Sequence, residues 1–231
     1  MDKNNTKRVA AKHFFKIIMQ RVIGFVLFIL AAGTITDLRG NIYFSVYFIS
    51  TFIACIILYN GHREVLSARE NKQENTESWD KILLPILVLL AFFGIYLVAG
   101  FGVRFGWTRL SGTWIYVGYV FFALSYIFST WPLFENRHFE GYVRIQSDRE
   151  HTVISTGPYR VVRHPGYLGG ILGMVAVTLI FGTLPVGITA AVVTALYIIR
   201  TNSEDNLLKK ELVGYLAYSD KVKYRLFPFI W

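Results

Sequence analysis

The sequence predicts an all-α, polytopic integral membrane protein that forms one membrane domain over residues 1–231. Of the 231 residues, 54% are hydrophobic and only 17% are charged, which is more apolar than is usual for a soluble domain. Several apolar runs approach the roughly 20 residues that an α-helix needs to cross a hydrocarbon core about 30 Å thick. What remains between the runs is too short for a soluble domain. We expect four transmembrane helices followed by a C-terminal helical hairpin.

The first 132 residues are expected to hold an amphipathic lead-in and the four spans. In residues 1–21, Lys and Arg alternate with apolar side chains, which is typical of a helix lying on the membrane surface; a signal peptide is the alternative. We expect Pro85 in the first turn of the third span and Trp131-Pro132 at the end of the fourth. The linker 60–81 is predicted to be a cytoplasmic loop with room for a surface helix. The four predicted spans cover residues 22–35, 42–59, 82–103 and 113–130.

The second half, residues 133–231, begins with an amphipathic stretch and then changes character. Two apolar runs, Tyr167–Phe181 and Leu184–Ile199, are separated by Gly182-Thr183, which predicts a helical hairpin within the membrane. Small residues in its first arm allow close contact with a neighbouring helix. A charged helix follows Arg200, and we expect it to fold back towards the start of the hairpin.

The distribution of Lys and Arg predicts the orientation. The basic residues concentrate before the first span, in the linker 60–81, in residues 133–165 and after Arg200. Because cytoplasmic loops carry an excess of Lys and Arg, both termini are expected on the cytoplasmic side. The net charge of +9 then indicates topology and attraction to anionic lipids, and no nucleic-acid partner is predicted.

One stretch, Gly157 to Gly170, stands out because chain-bending, aromatic and basic residues crowd beside an apolar run. The residue before each proline is biased away from helix, and Pro165 suits the first turn of a helix that starts there. A free helix N-terminus attracts anionic groups, and Arg163 and His164 add donors. A polar ligand site at the membrane edge is one interpretation. A basic membrane-entry turn is the alternative.

Several common types of site are not indicated. The single cysteine, Cys55, lies in an apolar run, so intramolecular disulfides and cysteine metal sites are excluded. No His, Cys or carboxylate falls at ligand spacing from His164, and no metal is predicted. The sequence also lacks a nucleophile elbow, and Gly100-x-Gly102-x-x-x-Gly106 misses the dinucleotide-binding fingerprint.

Two motifs carry a family resemblance. The first is Gly157-Pro158-Tyr159-Arg160-x-x-Arg163-His164-Pro165-x-Tyr167-Leu168-Gly169. The second runs from Arg200-x-x-x-Glu204-Asp205 to the Tyr224-Arg225-Leu226-x-Pro228 ending. Together they resemble the isoprenylcysteine carboxyl methyltransferase family and its phospholipid N-methyltransferase relatives, from about Val143 to Trp231.

The resemblance implies that residues 133–231 form a catalytic half with S-adenosyl-L-methionine as cofactor. It also implies a lipid or a prenylated cysteine carboxylate as the methyl acceptor. The family's paired glutamates appear here as Glu204-Asp205, and the shorter Asp205 side chain alters the reach of the second carboxylate. The implied catalytic residues are Arg200, Glu204, Asp205 and Arg225. The implied cofactor-binding residues are Gly157, Tyr159, Arg163, His164, Pro165, Tyr167, Leu168 and Gly169.

Two other functions fit parts of the pattern. The Tyr224-Arg225-x-x-Pro228 ending and the helical architecture also look similar to membrane reductases of the sterol-reductase type, which would use NADPH. A non-enzymatic module that binds anionic lipid through its basic faces is the third hypothesis. The expected location is a prokaryotic inner membrane, or the endoplasmic reticulum if the source is eukaryotic.

Overall fold

The protein is a bundle of α-helices. The computed structural model describes the backbone of residues 3–61, 65 and 75–231, with side chains from residue 6 onward. No strand occurs in these residues, so the all-α prediction is confirmed. The helices are α1 (Lys3–Ala32), α2 (Leu38–Gly61), α3 (Asp80–Arg104), α4 (Thr113–Glu135), α5 (Pro165–Phe181), α6 (Leu184–Glu211) and α7 (Tyr215–Lys221).

Five of the described helices, α1–α4 and α6, are long and apolar enough to cross a membrane, whereas α5 is shorter. The predicted hairpin is present as α5 and α6. Its turn contains Gly182 in the left-handed region at φ +70°, where a side chain would be strained. The arms differ in length, because α6 has 28 residues and α5 only 17. The second arm, α6, is therefore long enough to cross the membrane by itself.

The N-terminal prediction is wrong in one respect. The lead-in and the first span form a single helix, α1, which continues through Arg21 without a break. The reason is helical periodicity: Ile17, Arg21, Gly24 and Phe28 recur at spacings of three and four residues, so they share one face. That face packs into the bundle, where Gly24 and Phe28 are buried. Residues 3–21 do not form a separate surface helix.

Both predicted proline positions need correction. Pro85 lies inside α3, beyond its first turn, and Pro132 lies inside α4, which continues to Glu135. Proline within membrane helices is tolerated where neighbouring groups satisfy the freed backbone atoms. The surface helix expected in the linker 60–81 falls largely on residues 62–64 and 66–74, which lie outside the described residues.

Aromatic side chains form the centre of the bundle. The rings of Phe28, Phe44 and Phe181 are fully buried, and the Tyr43 and Tyr96 hydroxyls hydrogen-bond at 2.9 Å. Glycine allows close approach of neighbouring helices at some points of the bundle. A Cβ on Gly100 would lie 2.5 Å from the Phe28 carbonyl oxygen on α1, so glycine sets the distance between α1 and α3.

A π-helical turn interrupts α3 at Leu90–Gly94. Such a turn inserts one extra residue into a helix and frequently marks a functional region. It presents Ala91 and Phe92, together with Tyr96 one turn later, to the interior of the bundle.

The hairpin brings the start of α5 next to the last turns of α6, because the two helices run antiparallel. The expectation that the charged segment after Arg200 folds back is wrong, since residues 200–211 simply continue α6. The part of the chain that turns back is α7 together with residues 222–231, called the tail below. There, the Arg163 and His164 N–H groups donate to the Tyr224 and Arg225 carbonyls at 2.9 and 3.0 Å.

Candidate functional site

Residues 157–165, called the corner below, connect the preceding chain to α5 and are bent as predicted. Gly157–Arg160 form a turn of 3-10 helix, and Pro165 is the first residue of α5. Proline suits this position because its missing N–H would have no partner in the first turn of a helix anyway. The two backbone hydrogen bonds to the tail then hold the corner in place.

The last turns of α6 present two different stripes of side chains. Tyr197, Arg200, Glu204 and Leu208 recur at helical spacing and line a cavity under the corner. Asp205 and Lys209, four residues apart, face the tail instead and form an ion pair at 3.2 Å. The adjacent carboxylates Glu204 and Asp205 therefore point to different surroundings, since neighbours in a helix lie about 100° apart.

Asp205 is the centre of a buried ionic network. Its side chain has no exposed surface, and it accepts two hydrogen bonds from Arg163 at 2.7 and 3.0 Å. Arg225 donates at 2.8 Å, and the Tyr215 hydroxyl at 3.0 Å. His164 Nε2 lies 3.2 Å away. A carboxylate has about four lone-pair sites, so this set occupies them and leaves Asp205 no site for a ligand.

A second buried pair fixes Arg200. Asp80, the first residue of α3, accepts from Arg200 Nε and Nη2 at 2.7 and 2.8 Å, and its side chain has no exposed surface. It also accepts from the Val143 N–H at 2.7 Å, while Arg200 donates to the Gly141 carbonyl at 2.6 Å. The pair thus ties α3, α6 and the segment before the corner together.

Glu204 has a different environment. It accepts a hydrogen bond from the Tyr167 hydroxyl, and the Tyr167 ring stacks on His164 with ring centres 5.8 Å apart. The Arg200 guanidinium lies 5.2 Å from the same ring. In the part of the chain that the structure describes, no cation forms an ion pair with Glu204. Its negative charge faces the cavity and would attract a positively charged ligand.

The cavity has a volume of about 470 Å³, which lies in the usual range for small-molecule sites. It is continuous and has two parts. The outer limb lies under the corner and is lined by Tyr159, His164, Tyr167, Arg200, Glu204 and Tyr215. The deep limb runs between the membrane helices and is lined by Arg21, Tyr43, Tyr47, Phe92, Tyr96 and Tyr126.

Residues 136–156 form a wall of the outer limb. Asn136 donates to the Tyr159 hydroxyl at 3.1 Å, and Glu140 pairs with Arg144 at 2.8 Å. The rings of His138 and His151 lie 4.7 Å apart. Burial lowers the pKa of His151 to about 4 and also lowers the pKa of His138. Both imidazoles are therefore neutral at pH 7.

The structure brings most of the site residues suggested by the family resemblance to the cavity and leaves five outside it. Gly157, at φ +54°, packs against Glu135, and a Cβ on Gly169 would meet the Ser129 backbone on α4 at 2.6 Å. Leu168 belongs to an apolar cluster, while Asp205 faces the tail, to which Arg225 itself belongs. The residues that line the cavity are Tyr159, Arg163, His164, Pro165, Tyr167, Arg200 and Glu204.

Sequence reasoning missed Asp80, Asn136 and Tyr197. The signal at Asp80 was weak, because an acidic residue at a helix start is explained equally well by the helix dipole. Its partner Arg200 lies 120 residues away, and no local pattern connects the two. In the described residues, no group of three or more His, Cys, Asp or Glu side chains could hold a metal ion.

Fold and site together define a helical membrane protein with a polar ligand cavity at one end of its bundle. Residues 113–212 match the model of the phospholipid methyltransferase family. The chain is 26% identical over 124 residues to a probable protein-S-isoprenylcysteine O-methyltransferase of Oryza sativa subsp. indica, and equally to that of subsp. japonica. Each match covers 52% of this chain and 64% of the relative, so it spans less than two thirds of either relative's length. The resemblance to the isoprenylcysteine carboxyl methyltransferase family and its phospholipid methyltransferase relatives is confirmed.

Proposed function

We propose that this protein is an integral membrane enzyme that transfers a methyl group from S-adenosyl-L-methionine to a membrane-borne acceptor at the cytoplasmic face. The acceptor is a prenylated cysteine carboxylate or a lipid. The observation that carries the proposal is a single cavity that joins the polar corner to the space between the membrane helices. The family match over residues 113–212 includes the corner, the hairpin and Glu204.

The outer limb suits the methyl donor, which carries positive charge on its sulfonium and ammonium groups and a planar base. Glu204 offers a carboxylate that forms no ion pair with any cation in the described part of the chain, and Tyr159, Tyr167 and His164 offer aromatic surfaces. Aromatic faces and a carboxylate both attract cations. We assign the binding of the donor to these four residues and to Pro165. When bound, the donor supplies an activated methyl group on a cationic sulfur.

The protein's own contribution is alignment and the exclusion of water. In-line displacement depends on holding the reacting atoms in the correct geometry. The Asp80–Arg200 pair holds the Arg200 guanidinium at the wall of the outer limb. A carboxylate acceptor is ionised at pH 7 and needs only a hydrogen-bond donor such as Arg200 to orient it. An amine acceptor would have to lose a proton, and Glu204 is then the group that takes it.

The deep limb explains why the site lies in a membrane bundle. An acceptor carried on a lipid enters from between the helices and not from the aqueous phase, so the cavity must reach into the bilayer. The positive-inside rule supports the cytoplasmic side for the corner. A prokaryotic inner membrane, or the endoplasmic reticulum in a eukaryote, is the proposed location.

Calorimetry with S-adenosylhomocysteine on the protein in neutral detergent tests the proposal. We expect the wild-type protein to bind and Glu204→Gln to weaken binding by about tenfold, because a hydrogen bond to a charged group contributes about 1.5–3 kcal/mol. Glu211→Gln is the matched control, since Glu211 is exposed on the same helix, and should bind as the wild type does. Tyr167→Phe, which removes the partner of Glu204, should give an intermediate loss.

The same assay separates the other two hypotheses. Binding of NADPH without S-adenosylhomocysteine would replace the proposal by a reductase. Binding of neither compound would leave a lipid-binding module. Incubation with labelled S-adenosyl-L-methionine and a membrane-lipid extract, followed by identification of the labelled product, then decides between carboxylate and amine acceptors.

A further inference from the structure

The deep limb contains a charged side chain that the proposed methyl transfer does not use. Arg21 lies on the inward face of α1 and lines the cavity. Its nearest ring on α3 is Phe92, which comes 12 residues after Asp80, or about 18 Å along a helix rising 1.5 Å per residue. Arg21 therefore lies far from the outer limb, near the middle of the membrane helices.

The guanidinium is held between two aromatic rings. Its central carbon lies 4.6 Å from the centre of the Tyr47 ring on α2 and 4.6 Å from that of Phe92 on α3. Stacking of this kind favours the cation and fixes the plane of the guanidinium. Because the rings cover the faces of the group, a further partner has to approach its edge. Nε has no accessible surface there, which leaves the terminal N–H groups as the donors to such a partner.

The donors of Arg21 are incompletely satisfied. Nη1 donates to Gln20 Oε1 at 2.9 Å, and Nε is buried without a hydrogen-bond partner. No carboxylate among the side chains that the structure describes forms an ion pair with Arg21. Ionisable groups within a membrane are costly, and they are typically paired or mark a ligand pathway. Among the described side chains Arg21 has no such pair, which points to a ligand.

Among the described residues, the surroundings of Arg21 supply neutral hydroxyls and no carboxylate beside the guanidinium. The Tyr43 and Tyr96 hydroxyls hydrogen-bond to each other, so one hydrogen of that pair remains free to donate, whereas Tyr126 donates to the Ser50 carbonyl. Tyr43, Tyr96, Tyr126 and Thr51 line the same limb. An alkyl or prenyl chain alone would gain nothing from an arginine and several hydroxyls. An anionic oxygen group would satisfy both, since a guanidinium binds carboxylate or phosphate through parallel N–H···O hydrogen bonds.

We propose that the deep limb is a binding site for an amphipathic lipid-like ligand whose carboxylate or phosphate group pairs with Arg21. The aromatic walls contact the apolar part of the ligand, and Arg21 with the neighbouring tyrosines contacts the oxygens. This inference does not depend on the methyl donor, because none of its residues lines the outer limb.

Radiolabelled hexadecanoate, with unlabelled hexadecyl phosphate and hexadecanol as competitors, provides the test on the full-length protein in neutral maltoside detergent. We expect saturable binding that hexadecyl phosphate displaces at least about tenfold more effectively than hexadecanol, as for a charged hydrogen-bonded pair. The relative affinities of hexadecanoate and hexadecyl phosphate show whether the site prefers a carboxylate or a phosphate.

Variants test whether the preference for anionic compounds comes from Arg21. Arg21→Gln should lose the preference for the anionic compounds, and Arg21→Lys, which keeps the charge, should restore part of it. Lys12→Gln removes an exposed positive charge from the same helix and should behave as the wild type. No saturable binding, equal displacement by hexadecanol, or an unchanged preference in Arg21→Gln would each overturn the proposal.

One measurement needs no variant and decides the matter if Arg21→Gln fails to fold. On acidification, wild-type binding of hexadecanoate should fall as its carboxyl group becomes protonated, whereas hexadecyl phosphate keeps a charge and should still bind. An equal response of the two compounds contradicts the inference. Calorimetry with S-adenosylhomocysteine on the same preparation separates this site from the proposed methyl transfer, since either binding can be lost while the other remains.

Discussion

The two stripes of α6 that carry Glu204 and Asp205 differ in almost every physical respect. Asp205 faces the tail, has no exposed surface and is surrounded by Arg163, Arg225 and Lys209. Glu204 faces the cavity and accepts a hydrogen bond from a neutral tyrosine. Two acidic residues adjacent in sequence therefore serve different purposes. Glu204 is available to a ligand, whereas Asp205 holds the corner and the tail against each other.

The difference shows that a site of this kind needs a separate structural network. Backbone hydrogen bonds hold the corner to the tail, whereas its contacts with α6 are made by side chains. Arg163 connects Asp205 to the Val222 and Lys223 carbonyls at 2.6 and 2.9 Å. Replacing Asp205, which does not itself line the cavity, should therefore alter the geometry of the cavity through the residues that Asp205 holds.

The largest effect is expected from Asp205→Asn. It leaves the buried Arg163, and the partly exposed Arg225 and Lys209, without their counter-charge, and breaking a buried pair typically costs about 3–5 kcal/mol. The free energy of unfolding, measured in detergent, should fall by that amount. Glu204→Gln is the matched control, and its stability should stay within about 1 kcal/mol of the wild type. Equal stability of the two variants would contradict the division of roles.

Asp80→Asn should have the second largest effect. One buried cation, Arg200, loses its counter-charge, so we expect a cost at the low end of that range, about 3 kcal/mol. Hydrogen exchange should also increase around residues 141–143, which the pair holds in place. Asp148→Asn is the control, because Asp148 pairs with Arg144 while its side chain is 59% exposed, and such pairs contribute about 1 kcal/mol or less. A similar response of both variants would show that Asp80 has no special role.

The smallest effect concerns acid and the wall of the outer limb. The pKa of His151 is about 4 in the folded protein against an ordinary value of 6.5. Between these values the unfolded segment binds more protons, so stability falls as the pH drops. Protection of residues 138–152 against hydrogen exchange, after correction for the slower intrinsic exchange in acid, should fall from about pH 6.5 to about pH 4, before any change around Asp205. His151→Gln should reduce this response, and an unchanged response would contradict the assignment.

Much of the fold and part of the site could be predicted from local patterns. Apolar runs of suitable length predicted the helices, and Gly182-Thr183 predicted the hairpin turn. Antiparallel packing of that hairpin then brings the corner to Glu204, as predicted, although by continuation of α6 and not by a fold-back. The continuity of α1 was predictable in principle from the face shared by Ile17, Arg21 and Gly24.

Other features depend on contacts distant in sequence and could not be predicted. The pairing of Asp80 with Arg200 is set by how α3 packs beside α6, which neither local segment specifies. The different surroundings of Glu204 and Asp205 depend on where the tail lies. Two adjacent acidic residues give no indication in the sequence of which one is buried, so the structure was needed to distinguish their roles.

The π-helical turn at Leu90–Gly94 has a consequence for how the two limbs relate. Its additional residue rotates the part of α3 that follows it by about 100° relative to Asp80. Deleting one residue there would leave Asp80 facing Arg200 but turn Tyr96 towards lipid. The turn thus sets which face each half of α3 presents. With it, Asp80 faces Arg200 at the membrane edge and Tyr96 faces the cavity between the membrane helices.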